Sequence, residues 1–396
     1  MTKYPQVVLY KGKDLAVRRF HPWVFSGAVQ KLPKSLAVGE VVLVTDHQGD
    51  VLGTAFFEGG NIALKMLSFK EEVIDHDFWK RKLQSALLLR KNLHLTDNPS
   101  TMAWRLLHSE GDGMPGLVID IYGSTAVLQA QSAGMYLHRQ LIANVLMEVL
   151  NGSIQAVFDK SAEALERMDK EVTESNSYLI GQSLESKVLE NEASFIVDWE
   201  KGQKTGFFLD QRDARLLLGK LSHGLMVLNT FSYSGGFSVF ALKGGAKKVV
   251  SVDSSKRAIE LCDQNIAANG FTKQHESVCM DAKKYMEQLQ GNEFDLIVLD
   301  PPAFAKNHHN RHKGLQGYKF INFEAIRKIA HNGLLFTFSC SQAIDRQAFQ
   351  SIVMAAAIEA GREVQVLYHL SQPADHPVSL FHPEGAYLKG LVLRVK

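Results

Sequence analysis

Cysteine is scarce in this sequence: Cys262, Cys279 and Cys340 are the only three in 396 residues. An odd number, so widely spaced, excludes a disulfide framework and a cysteine-based zinc site. It leaves free thiols, as in a reducing compartment. No apolar run approaches the roughly 18 residues that a membrane span needs. The start, Met1-Thr2-Lys3-Tyr4-Pro5, has no apolar stretch leading to a small-residue cleavage site. A cytoplasmic protein without a membrane partner is therefore expected. Neither sign of charge dominates, since 44 Lys and Arg stand against 42 Asp and Glu for a net charge of +2. No internal period points to a repeat array.

What is present is ordinary globular composition, 45% apolar and 22% charged. A chain of 396 residues suggests two or three domains, and three regions differ in pattern. Residues 1–70 contain short β runs at Val7–Tyr10, Val41–Thr45, Val51–Phe57 and Ile62–Ser68, punctuated by Gly and Asp, which predicts a small β barrel. Trp23 and Phe25 are read as alternating with polar or small residues, hence as barrel core. Residues 71–190 predict a compact α+β domain. Its helices fall at Asp77–Asn92 and Leu137–Leu150, with strands near Leu117–Ile121 and Ala126–Gln131 and a polar loop at Asp169–Ser177.

From 191 to 396 strand and helix alternate. Strands are read at Leu225–Thr230, Lys248–Val252, Ser277–Met280, Phe294–Leu299 and Leu334–Ser339, with helices at about 236–243, 255–269, 281–289, 319–331 and 344–360. Such alternation implies right-handed crossovers and a largely parallel, Rossmann-like α/β sheet. Glu363–Leu370 and Tyr387–Val395 would add an antiparallel edge. Cys262 on the apolar stripe of a helix and Cys279 in a strand are both expected to be buried.

Ligands of an open parallel sheet gather at the carboxyl ends of its strands. The first strand here ends in Asn229-Thr-Phe231-Ser232-Tyr233-Ser-Gly235-Gly236, whose small residues let a turn approach a ligand and open a helix. The second ends in Asp253, eighteen positions after Gly235, where a carboxylate can accept hydrogen bonds from both hydroxyls of a ribose. The third leads to Asp281 and Ala282, placed to meet an adenine edge, and the fourth to Asp300-Pro-Pro-Ala-Phe304. Taken singly, Ser254 and Asp281 read equally as helix caps. Four such features on four consecutive strands are harder to ascribe to chance. Because the turn is not Gly-x-Gly-x-x-Gly, a nicotinamide oxidoreductase is disfavoured.

The run Phe231-Ser-Tyr-Ser-Gly-Gly-Phe, with Val252-Asp253, Asp300-Pro-Pro-Ala-Phe and Phe338-Ser-Cys-Ser, resembles class I S-adenosylmethionine-dependent methyltransferases. More narrowly, the whole chain resembles RlmI-type 23S rRNA 5-methylcytosine methyltransferases. Arg19-Phe-His-Pro-Trp-Val-Phe25, Lys204-Thr-Gly-Phe-Phe-Leu-Asp-Gln-Arg212, Ala374-Asp-His-Pro377 and Pro383-Glu-Gly-Ala-Tyr-Leu-Lys-Gly390 carry that likeness from end to end. The resemblance implies an RNA-binding PUA barrel over 1–70, a central α+β domain over 71–190 and a methyltransferase domain over 191–396. It implies S-adenosylmethionine as cofactor, held by Gln211, Arg212, Asn229, Phe231, Ser232, Tyr233, Gly235, Asp253, Ser254, Asp281, Ala282 and Asp300. The implied partner is 23S ribosomal RNA, naked or in an assembling large subunit, with oligomeric state left open, a homodimer included.

Carbon 5 of a pyrimidine is a poor nucleophile, and a thiolate adding to carbon 6 makes it enamine-like. Cys340, at the carboxyl end of a strand, suits that role, and Asp300 suits the base edge near N3 and N4. Related RNA enzymes carry a second cysteine after Asp-Pro. Here Pro302 stands in that place, so the acceptor of the carbon 5 proton is open, with His376 one candidate.

For the RNA, Lys11, Lys13, Arg18 and Arg19 form a basic cluster in a region with nine cations and five acids. Residues 306–319, read as a loop, contain no acid and offer Lys306, Arg311 and Lys313 to phosphates. His308, His309 and His312 lie there without a nearby carboxylate or cysteine, so no metal site is assigned. Two other readings compete. One is an rRNA methyltransferase acting on a purine nitrogen, guanine N7 or N2, which needs no cysteine. The other is a non-catalytic RNA-binding protein.

Overall fold

The computed structural model describes residues 4–168, 175–183, 186–305 and 308–396. The chain divides into two compact units. One comprises residues 1–188, 197–209 and 374–385, and the other 189–196, 210–373 and 386–396.

The first unit holds two sheets. Near the N-terminus lie β1 (Gln6–Leu9), α1 (Leu15–Arg18), β2 (Trp23–Phe25), β3 (Val29–Lys31), β4 (Val41–Thr45), β5 (Val51–Phe57) and β6 (Ile62–Ser68). They form one six-stranded sheet in the order β2-β6-β5-β4-β1-β3. The β1–β4 pair is parallel and the rest antiparallel. Val7, Leu9, Val24, Val42, Val44 and Leu64 fill its core.

The expected barrel core differs at two positions. Val24 is the buried residue of β2, whereas Trp23 is half-buried and Phe25 is 53% exposed. Strand alternation was the right period, but Val24 takes the inner face and its aromatic neighbours the outer. Trp23 rests instead on His382, with ring centroids 4.3 Å apart, and donates from Nε1 to Glu110 at 2.9 Å.

The central part follows with α2 (His76–Asn92), β7 (Ala103–His108), β8 (Leu117–Tyr122), β9 (Thr125–Ala130), α3 (Ala133–Leu150), β10 (Ala156–Asp159), α4 (Ala162–Met168) and β11 (Ser177–Ile180). The strands make one sheet, β11-β10-β9-β8-β7. Most of the expected polar loop at 169–177 falls outside the described residues. Asp75 caps α2 by accepting from the Phe78 amide at 3.0 Å, and Ser132 caps α3.

A charged pair ties this region to the segment 374–385. Arg90 is fully buried and binds Asp112 through two hydrogen bonds of 2.6 and 2.8 Å. It also donates to the carbonyls of Arg105 and Asp375. Asp375 accepts in turn from the Arg105 amide at 2.9 Å. Its neighbour His376 is buried against Asp375 and the ring of His108.

A two-stranded hairpin, β12 (Lys187–Glu190) and β13 (Ala193–Ile196), precedes the second unit's main sheet. Then come α5 (Arg212–Lys220), β14 (Met226–Thr230), α6 (Gly236–Lys243), β15 (Lys248–Asp253), α7 (Lys256–Ala268), β16 (His275–Cys279), α8 (Ala282–Gln288), β17 (Leu296–Leu299), α9 (Arg311–Lys328), β18 (Gly333–Ser339), α10 (Arg346–Glu359), β19 (Val364–Leu370) and β20 (Lys389–Val395). The strand order is β16-β15-β14-β17-β18-β20-β19. The first five strands are parallel. The last strand, β20, inserts antiparallel between β18 and β19.

Two expectations are corrected here. The acid-free segment expected as a loop is largely the first turns of α9, which starts at Arg311 rather than near 319. Its apolar spacing becomes visible only from Tyr318, because the buried residue one turn earlier is Gly314. That glycine is demanded by close approach: a Cβ there would stand 2.6 Å from Ala305 Cβ. Cys279 is exposed, not buried, because β16 is the edge strand.

Gly134, inside α3, offers a test of packing against propensity. A Cβ there would lie 2.1 Å from the Phe56 ring. Ala is favoured over Gly in helices by about 1 kcal/mol, whereas overpacking a rigid core costs about 1–3 kcal/mol. Gly134→Ala is thus expected to lower the unfolding midpoint in urea, and a raised midpoint would show that Phe56 yields freely.

Candidate active site

The loop after β14 is built under strain. Phe231 and Tyr233 have φ of 56° and 44°, and Gly235 has 78°. Left-handed backbone at a non-glycine residue costs on the order of 1–3 kcal/mol and persists only when surroundings enforce it. Here they do. The Ser232 amide donates to Val252 O at 3.1 Å, and the Gly235 amide to Ser232 O at 2.8 Å. Tyr233 donates its amide to Asp253 Oδ2 at 3.0 Å, and Asn265 Nδ2 donates to Ser234 O at 2.9 Å. Gly235 is required twice, by its φ and because a Cβ would stand 2.5 Å from Cys262 Sγ.

Gly235 precedes α6 without a side-chain cap, and the first amides of a helix have no partner within the helix itself. Arg215 of α5 packs on Gly236, and its guanidinium binds buried Glu190 through two contacts of 2.7 Å. The same helix begins at Arg212, with Gln211 before it, and both are buried. Among the described residues, Ser232 Oγ and Gln211 Oε1 are buried without a hydrogen-bond partner. Such orphans at a strained loop and a helix start suit a polar ligand.

The other expected residues are distributed unequally. Asp253, half-buried, closes β15; its Oδ1 accepts from Ser255 at 2.9 Å while Oδ2 holds Tyr233. It therefore locks two strand-end loops together and still keeps lone pairs on both oxygens. Ser254 is exposed, and the cap of α7 is Ser255, not Ser254. Asp281 caps α8 by accepting from the amides of Lys283 and Lys284, both at 3.1 Å, with Ala282 buried behind it. Asn229 lies beneath the site, its Nδ2 donating to Ser238 at 2.9 Å and so fixing α6 to the sheet.

Asp300 and Cys340 follow neighbouring parallel strands, β17 and β18, paired in register Leu299↔Thr337. Both side chains are half-buried. Ser341, buried, ties the two turns together: its Oγ accepts from the Ala305 amide at 3.2 Å and bonds Tyr318 Oη at 2.9 Å. Lys389, the first residue of β20, reaches Ser341 O at 2.7 Å. Tyr318, Ser341 and Lys389 were not expected from the sequence. Only the strand pairing, which places Ser339 opposite Lys389, could have revealed the last.

Of the expected RNA contacts, Lys11, Lys13 and Arg19 are exposed. Arg18 is committed to two carboxylates, Asp14 at 2.5 Å and Asp46 at 2.6 Å, so most of its charge is compensated. Arg311 pairs with Asp345 at 3.4 Å and donates to Ala343 O. Lys313 is exposed, and Lys306 lies outside the described residues. Among the described residues no three His, Cys, Asp or Glu side chains group to hold a metal ion, and no helix is long and apolar enough to cross a membrane.

Residues 164–377 match the family model of S-adenosylmethionine-dependent methyltransferases, and residues 7–69 that of the PUA-like domain. The chain is 40% identical over 402 residues to the ribosomal RNA large subunit methyltransferase I of Alteromonas mediterranea, covering 98% of both chains. Against the protein of the same name from Escherichia coli O139:H28 the identity is 39%, over 98% of this chain and 99% of that one. Among solved structures, a putative methyltransferase crystallised with S-adenosylhomocysteine superposes with a TM-score of 0.83 at 25% identity, over 98% of this chain and 100% of that chain. A putative S-adenosylmethionine-dependent methyltransferase from Streptococcus mutans superposes with a TM-score of 0.84 at 24% identity, over 98% and 100%. S-adenosylmethionine is the cofactor, in keeping with the strained loop, the uncapped helix start and the carboxylate beside it. The chain belongs to the S-adenosylmethionine-dependent methyltransferases and, within them, to the ribosomal RNA large subunit methyltransferase I group.

Proposed function

We propose that the protein methylates carbon 5 of a cytosine in 23S ribosomal RNA through a covalent adduct on Cys340. The observation that carries this reading is the pairing of a half-buried thiol, Cys340, with a carboxylate, Asp300, on adjacent strand ends at the ligand edge of the sheet. A purine nitrogen has its own lone pair and needs no thiol there. The relatives' name supports ribosomal RNA as the substrate, and the PUA-like segment supports RNA binding.

In this reading Gln211, Ser232, the amides after Gly235, and Asp253 hold the cofactor, whose bound form supplies the electrophilic methyl that carbon 5 accepts. The Cys340 thiolate adds to carbon 6 and pushes electron density to carbon 5. Asp300 hydrogen-bonds the N3 and N4 edge and so orients the ring and steadies charge in the adduct. Transfer of the carbon 5 proton to solvent leaves its electron pair to re-form the 5,6 double bond, which breaks the carbon 6–sulfur bond and releases the thiolate. Exposed Lys11, Lys13, Arg19 and Lys313 contribute phosphate contacts. The barrel at 1–70 serves RNA, the α+β domain at 71–190 follows it, and 191–396 performs the transfer, in the cytoplasm.

Wild-type protein is expected to form a denaturation-resistant complex with 5-fluorocytidine-substituted 23S RNA, and Cys340→Ala to form none. Methyl transfer by Cys340→Ala should fall by at least about 10³-fold, as for loss of a nucleophile, with cofactor binding retained. Near-normal methylation by that variant would instead assign a purine nitrogen. Calorimetry should also show Asp253→Ala binding S-adenosylmethionine roughly 10- to 150-fold more weakly, the worth of a charged hydrogen bond. Unchanged affinity would remove Asp253 from the cofactor site.

A further inference from the structure

Lys389 is an unusual residue for its place. It opens β20, a strand whose next residues are apolar and buried, and is itself only 4% exposed. Antiparallel pairing sets it opposite Ser339, the residue before Cys340. Its ammonium donates to Ser341 O at 2.7 Å, the residue after Cys340. The cation is thus gripped by the segment that carries the thiol. A packing role alone would be met by Leu or Met, without the cost of taking an ammonium out of water.

We infer that Lys389 is the positioning residue that holds a positive charge against the Cys340 thiolate. The inference rests on Cys340 being the nucleophile. Burial pulls Lys389 down to about 8, and the strongest opposing influence is Cys340 itself. Other charges in reach are Asp345 and Arg346 at the start of α10, which oppose each other. Asp345 is further occupied by Arg311 and by capping Ala348. Tyr318, across Ser341, is pushed up by burial and stays neutral at physiological pH. Cys340 gives its proton to solvent, the sulfur keeps the electron pair that forms the bond to carbon 6, and Lys389 keeps its three protons throughout. Because Lys389 is depressed, this support is complete well below pH 8 and fades as pH rises through that value.

The test is iodoacetamide labelling of the full-length protein across pH 5.5–10 (an assay range of about the thiol titration window), read by mass spectrometry of each cysteine peptide. Exposed Cys279 serves as the accessible reference thiol, and buried Cys262 as the shielded one. In wild type, Cys340 should reach half-maximal labelling rate at least about one pH unit below Cys279, a tenfold gain in thiolate at fixed pH. Lys389→Met should abolish that gap and Lys389→Arg retain it, with the Cys279 profile unmoved in both and folding checked by thermal melting. If neither variant folds, the wild-type gap between Cys340 and Cys279 still decides. A wild-type Cys340 profile equal to that of Cys279, or a folded Lys389→Met variant with the gap intact, overturns the inference. Labelling needs no RNA, so its failure is separate from failure of the 5-fluorocytidine adduct, which would sink the nucleophile assignment instead.

Discussion

Five parallel strands of the second unit, β16, β15, β14, β17 and β18, end on the same edge of one sheet, and the chemistry depends on that common direction. Parallel strands need crossover helices, so each strand end must turn outward into a loop before its helix begins. The chain moves outward from β14 to β15 and β16, then returns to β17 on the other side of β14. The reversal leaves a crevice between the loops after β14 and β17, where a ligand can sit. One strand breaks the rule to good effect. Because β20 runs antiparallel, it starts where the others end, and its first residue, Lys389, arrives beside Cys340's loop.

The loop after β14 shows what the site costs and what offsets it. Two non-glycine residues in left-handed backbone would relax if the loop were free. It is not free, because Asp253 of the adjacent strand holds Tyr233, and α7 holds Ser234 through Asn265. Beneath it runs a buried polar chain from Asn229 to Ser238, Ser251 and His275. Burial pulls His275 below its ordinary value and keeps it neutral, so the chain stabilises without an unpaired charge. Rigidity at this edge therefore comes from the sheet below, not from the loop's own preferences.

Most of the second unit was legible because its strands alternate with amphipathic helices at regular intervals. The helix at 236–243 and the strands at 41–45, 51–57 and 62–68 fall where the pattern placed them. The strands β2, β3, β7, β10, β11, β12 and β13 lie outside the runs that the pattern marks. Trp23–Phe25 and Val29–Lys31 are three residues each, too short for a period, and Ala156–Asp159 is uniformly buried and shows no alternation. The start of α9 was hidden by Gly314, a poor helix former chosen for contact with Ala305. Among site residues, those that follow a strand directly were legible. Ser341, Tyr318 and Lys389 were not, since only tertiary pairing brings them together.

The three cysteines show why residue type alone settles nothing. Cys262 lies under Gly235 with its Sγ 3.8 Å from His275 Nε2, and burial pushes its thiol up to about 12. Cys279 ends an edge strand, where no second neighbour covers it. Only Cys340 combines partial exposure with a place at the ligand edge, a carboxylate on the adjoining strand and a buried cation bound to its own loop. Sheet order creates each of these differences. Exchange the interior position of β18 for the edge position of β16, and the same thiol would be left as exposed as Cys279. The place of Cys340 is thus set by topology, through the strand that carries it and the antiparallel neighbour that brings the lysine.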